Sequence, residues 1–298
     1  MADLVRLSDG RQASYEVVGV GEPLLMFPGG PGVPAAFVRA DAELLADRFA
    51  SYLIDPHGSG GSTPPADPSA YDHLGHAAFY DEVRAALGLE RVGVAGVSYG
   101  GTVALTYAAL YPDRTVRCLP VSAFAFGGDA DEARGGEAEA EMEAMLARHA
   151  GAAWYPEARA AWDSWTEVTL AATDGAEIEA LFDRTLPLYC AHPDRAEVAE
   201  GLTKMRSVLR ADLAAMQAWE GGLYETIDLG PLLPAIRCPT LVVAGELDLI
   251  CGPAQARGIA AGISGAPLVT IPECGHFPAL EAAADYRGAI VGWLEGGG

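Results

Sequence analysis

Over its first 126 residues the chain alternates short runs rich in apolar residues with longer stretches in which apolar residues recur every three or four positions. Residues 24–27, 49–54, 92–97 and 116–121 are such runs, the pattern of strands buried on both faces of a parallel sheet. Residues 12–18 predict a strand of an opening hairpin, with a turn over 19–23. Between 69 and 87, Leu74, Ala78, Val83 and Leu87 fall on one helical face, with Gly88 as the stop. Residues 102–111 continue as helix until Pro112. Strand and helix alternating through short links predict an α/β fold with a doubly wound, mostly parallel sheet.

The rhythm then changes. Residues 137–149, 157–172, 177–186 and 196–219 carry helical spacing, and no convincing strand falls between 127 and 233. Strand patterns return at 239–244 and 268–271, and a last helix spans about 278–294. The expected organisation is therefore a core of 1–126 and 234–298 with a helical cap inserted at 127–233. Gly127-Gly128 and Gly230-Pro231 would be its hinges.

Three glycine-rich loops follow strands, and ligands of such sheets bind beyond the carboxyl ends of the strands. The most specific is Gly96-Val97-Ser98-Tyr99-Gly100. Between a strand and a helix, Gly-x-Ser-x-Gly reads as a sharp turn that lifts a nucleophilic hydroxyl clear of the backbone. A serine needs a base, and the base an orienting acid. On this topology the order is nucleophile, acid, histidine. His276 lies in Gly275-His276-Phe277-Pro278 directly after the last strand, whereas His149 and His192 fall in the insertion. Asp248 leaves the preceding strand and is the expected acid, with Glu246 as the alternative. The amides of Tyr99 and of Gly30, in the loop Pro28-Gly29-Gly30-Pro31-Gly32, are the expected oxyanion donors.

Charge narrows the partners. The net charge is −22, and residues 127–233 hold 21 of the 41 acidic residues against 8 of the 19 basic ones. Nucleic acid and anionic membrane, which call for a basic surface, are not expected partners. The 298-residue chain has no 18-residue apolar run and no basic-then-apolar start, so a soluble cytoplasmic protein is expected. Its five scattered cysteines contain no CxxC pair and suggest neither a disulfide framework nor a zinc site.

With these pieces assembled, the chain resembles the proline iminopeptidase family of α/β-hydrolases over nearly its whole length. The family's HGGPG, DQRGxGxS, GGSWG, Asp and Gly-His stand here as residues 28–32, 55–62, 96–100, Asp248 and Gly275-His276, and Ala161 to Trp165 resembles its lid segment. The resemblance implies a cofactor-free serine hydrolase with a helical cap, acting on short peptides or other small molecules. Pro28, His57 and Tyr99 replace the family's histidine, arginine and tryptophan. The lid glutamate that helps hold a substrate amine is replaced by Thr166. Glu167, one residue on, and Trp219-Glu220 are the other carboxylate sources, so Gly29, Trp165, Glu167, Trp219 and Glu220 are candidate substrate-binding residues. An aminopeptidase for small peptides or amino-acid amides is the first reading. An esterase, lactonase or thioesterase on a small metabolite is the second, and a non-catalytic ligand-binding protein the third. Oligomeric state is not legible.

Overall fold

In the computed structural model, which describes residues 2–297, eight strands build one sheet: β1 Asp3–Arg6, β2 Gln12–Val18, β3 Glu22–Phe27, β4 Phe49–Ile54, β5 Val92–Val97, β6 Thr115–Val121, β7 Val242–Gly245 and β8 Leu268–Ile271. Their spatial order is β1-β2-β4-β3-β5-β6-β7-β8. β1 and β2 pair antiparallel, as do β2 and β4, and every other neighbouring pair is parallel. The apolar runs follow from burial on two faces. Leu25 and Phe27 of β3 join a core with Val83, Leu105 and Ile259, while Leu24 and Met26 point the other way, toward Val38, Leu45 and Ile290. Helices His73–Ala86, Tyr99–Leu110 and Gly252–Gly262 cover the first face, and Arg39–Leu44 and Ala283–Glu295 the second.

Between β6 and β7 the described residues form helices and turns without a strand. The chain leaves and re-enters the sheet side by side. Gly127 N–H donates to the Ile227 carbonyl at 2.7 Å and Leu229 N–H to that of Ala125 at 2.8 Å. Two expected helices are broken. The stretch 157–172 divides into Tyr155–Asp163 and Trp165–Ala171, where the Ser164 hydroxyl bonds back to the Ala160 and Ala161 carbonyls. The stretch 196–219 stops at Val208 and restarts at Leu213, because the Asp212 side chain caps the new helix through Ala215 N–H at 2.8 Å. The last expected helix also divides, into Pro278–Glu281 and Ala283–Glu295. The edge strand β1 carried no sequence signal, since four mostly exposed residues are too few for a readable alternation.

One buried carboxyl makes stability depend on pH. Asp41, 6% exposed beside Tyr286, has its pKa pushed up to about 6, by burial first and against the lowering effect of the Tyr286 hydroxyl. Its contribution is fully favourable below about pH 4, where both states hold the proton. It is lost as pH rises through 6, because the folded state must then bury a charge. Asp41→Asn is therefore expected to raise the unfolding free energy by on the order of 3 kcal/mol at pH 8 and by little at pH 4. Urea denaturation at the two pH values checks this.

Candidate active site

Ser98 is the turn between β5 and the helix Tyr99–Leu110, with φ 57° and ψ −127°, a conformation that costs a non-glycine residue about 1–3 kcal/mol. The surrounding backbone enforces it. A Cβ on Gly96 would stand 2.1 Å from the Gly100 carbonyl oxygen, and one on Gly100 2.1 Å from that of Phe27. Ser98 N–H is tied to the Val121 carbonyl at 2.9 Å, so the residue is held at the carboxyl edge of the sheet. Gly29 lies against it. A Cβ there would be 3.1 Å from Ser98 Cβ, which places the β3 loop directly on the elbow.

Asp248 and His276 are each 1% exposed and are joined, His276 Nδ1 standing 3.0 Å from both carboxylate oxygens. Asp248 Oδ1 also accepts the amides of Ile250 at 2.9 Å and Cys251 at 3.2 Å. With Nδ1–H donated to the carboxylate, Nε2 keeps its lone pair as the basic site. Glu246 is exposed and instead accepts the Glu273 amide at 3.2 Å, so the geometry selects Asp248. The Ser98 hydroxyl faces Cys251 Sγ at 3.9 Å, and among the described residues no hydrogen bond joins it to His276. Cys251 thus touches Ser98 with its thiol and Asp248 with its amide. All three predicted residues lie around that one turn. Cys251 and Tyr189, whose carbonyl accepts His276 N–H at 2.7 Å and whose ring centroid lies 5.4 Å from the imidazole, were missed by sequence reasoning. A cysteine three residues after the acid was the available signal for the first.

The Tyr99 and Gly30 amides donate no hydrogen bond among the described residues, and both residues line the cavity above Ser98. Beneath Tyr99 the chain buries a histidine pair. The Tyr99 hydroxyl lies 3.1 Å from His76 Nδ1, whose ring is 4.4 Å from that of His57. Burial first pushes their pKa values down, to about 4 for His76 and about 3 for His57. The pair is therefore neutral support for Tyr99 at neutral pH.

The cavity measures about 780 Å³. Its lining includes Asp129, Asp131, Glu132, Glu139, Glu220 and Glu225 and no lysine, arginine or histidine, alongside Trp165, Trp219 and other aromatic rings. Glu220 is held in place, its carboxylate accepting Trp165 Nε1–H at 2.9 Å and the Thr166 hydroxyl at 2.7 Å. Trp219 packs edge-on to Tyr99 at 5.1 Å. Glu167 departs from expectation. It is exposed and does not line the cavity, because one further residue turns about 100° around the helix, away from the face that carries Trp165. Among the described residues, no three His, Cys, Asp or Glu side chains converge as a metal-binding set. Among the described residues, no helix is long and apolar enough to cross a membrane.

Comparison with known proteins bears on this geometry. A family model for the alpha/beta hydrolase fold matches residues 22–283. A proline iminopeptidase of Levilactobacillus brevis is 25% identical over 303 residues, covering 95% of this chain and 93% of the relative. Among solved structures, an alpha/beta fold family hydrolase from Bacillus anthracis superposes with a TM-score of 0.78 at 18% identity, over 98% of this chain and 99% of the other. An enol-lactonase from Burkholderia xenovorans gives 0.75 at 21% identity, over 98% and 100%. At those identities the two structures share the fold.

Proposed function

Because the chain belongs to the alpha/beta hydrolase fold family, we propose that it is a serine hydrolase that cleaves the N-terminal residue from small peptides or amino-acid amides through an acyl-enzyme. The observation that carries this reading is the buried Asp248–His276 pair set one turn of chain from the strained Ser98. In the first step the Ser98 hydroxyl leaves Cys251 for His276 Nε2 and attacks the substrate carbonyl as its proton passes to the imidazole. The amides of Tyr99 and Gly30 receive the oxyanion. Collapse breaks the C–N bond, and the imidazolium gives its proton to the departing amine. Water then attacks the acyl-enzyme, with His276 again the base. Residues 127–233 act as the cap that roofs the cavity and excludes bulk water from it.

Selection for a free amine rests on Glu220. Its carboxylate is oriented by Trp165 and Thr166 in a cavity lined by acids alone among charged residues, a setting that draws a cation inward. Thr166 stands where the resembled family carries its glutamate, and here it fixes a carboxylate from another helix instead. Glu220→Gln is expected to raise KM for an unblocked prolyl-naphthylamide about 10- to 100-fold, the loss of one charged hydrogen bond. Hydrolysis of a simple acyl ester should stay within about twofold. Equal cleavage of the unblocked and N-acetylated amides by the unaltered protein would overturn the aminopeptidase reading. The cavity's volume, in the range of roughly 300–1,000 Å³ that drug-sized ligands fill, and its aromatic lining favour the second reading, a hydrolase of bulky small esters. The same pair of assays separates the two.

A further inference from the structure

We infer that Glu281 is a positioning residue for His276, and that it couples the imidazole to segment 186–191 of the insertion. The inference rests on the reading of His276 as the base. Glu281 ends the short helix Pro278–Glu281, and no salt bridge reaches it among the described residues. Its partners are backbone amides. Oε1 accepts Gly275 N–H at 3.1 Å and Phe277 N–H at 3.3 Å, the residues on either side of His276, and Oε2 accepts Ala191 N–H at 2.7 Å. The amide between them, that of His276, goes to the Tyr189 carbonyl at 2.7 Å.

Three consecutive amides of the histidine loop are therefore fixed, two by Glu281 and one by the insertion, and the same carboxylate holds the insertion two residues further on. The junction is tight. A Cβ on Gly275 would lie 2.6 Å from Ala191 N and 2.7 Å from the Tyr189 carbonyl oxygen. The Tyr189 ring stacks on Phe277, with centroids 5.6 Å apart and planes within 7°. A part-buried carboxylate without a cation is costly unless donors converge on it, and here three do. Asp248 sets the rotation of the imidazole, and this clamp sets the position of the backbone from which the ring hangs. Displacing a reacting group by about 1 Å costs on the order of 100-fold in rate. Tyr189 also lines the cavity, so a substrate pressing on it acts on the base directly through the Tyr189 carbonyl and, two residues on, through the Glu281 carboxylate.

The test is Glu281→Gln, which keeps the side chain's size but points a donor at one of the three amides. The expected result is kcat lowered about 10- to 100-fold on both prolyl-naphthylamide and p-nitrophenyl acetate, with KM changed less than threefold. The acid limb of the kcat/KM profile should be displaced, and the downfield Nδ1 proton resonance of His276 shifted. A role confined to folding would lower Tm and leave kcat, the pH profile and the resonance of the folded protein unchanged, and that result would overturn the inference. If Glu281→Gln does not fold, Glu281→Asp keeps the charge and cannot span both sides of the clamp. The same loss of kcat and shifted resonance are expected of it, and wild-type values in the folded variant would refute the coupling. Assayed beside them, an active His276→Ala would sink the triad reading and the clamp together. An inactive His276→Ala beside a wild-type-like Glu281→Gln would sink the clamp alone.

Discussion

Replacing Ser98 by alanine is expected to cut kcat by about a hundred-thousandfold to a millionfold and to abolish labelling by a fluorophosphonate probe. Three features converge on that expectation. The φ of 57° at Ser98 is strain that a structural turn could have avoided with glycine. The Tyr99 and Gly30 amides above it are unspent, and the Asp248–His276 pair lies one turn of chain away. The nearby thiol should not rescue the variant. Burial first, and the Asp248 charge second, push the Cys251 pKa well above that of a free thiol, so it stays protonated and a poor nucleophile. Alanine also fits the space of serine without a new clash, so the fold should survive the substitution and the Tm stay unchanged. Labelling or turnover persisting in Ser98→Ala would mean that the elbow is architecture, and the protein a binder or a hydrolase with another nucleophile.

The core was legible because its strands are buried on both faces. Phe49–Ile54 and Val92–Val97 have boundaries set by where apolar residues stop, and topology then orders the loops that follow them. Ser98, Asp248 and His276 were singled out as candidates by order and chemistry, since each lies in the turn or loop that follows a strand. What the sequence hid is tertiary. Nothing local to Glu281 says that its partners are the amides of 191, 275 and 277, 90, 6 and 4 positions away. Nothing local to Thr166 says that it orients Glu220, 54 residues on. The broken helices of the insertion share this cause. Ser164 and Asp212 each offer the backbone a hydrogen bond that competes with the helix, whereas the apolar periodicity runs on across the break.

Asp248→Asn should lower kcat about ten-thousandfold, as removal of the triad carboxylate does in serine proteases, while leaving the fold intact. The contrast follows from what each oxygen does. The amide oxygen of asparagine can replace Oδ1 and keep the Ile250 and Cys251 amides, so the turn that leads into helix Gly252–Gly262 stays capped. The amide nitrogen then replaces Oδ2 and turns a donor toward His276 Nδ1, 3.0 Å away. Two donors cannot share that space. The imidazole is driven to the other tautomer, with its proton on Nε2 and its lone pair wasted on the asparagine, and the atom facing the serine is no longer a base. Asp248→Ala would lose the cap as well, so its Tm should fall while that of Asp248→Asn holds. Fluorophosphonate labelling should slow in step with kcat, because both need a deprotonated hydroxyl. A variant Asp248→Asn retaining kcat within tenfold of the parent would show that Tyr189 and Glu281 orient the imidazole without help from its carboxylate partner.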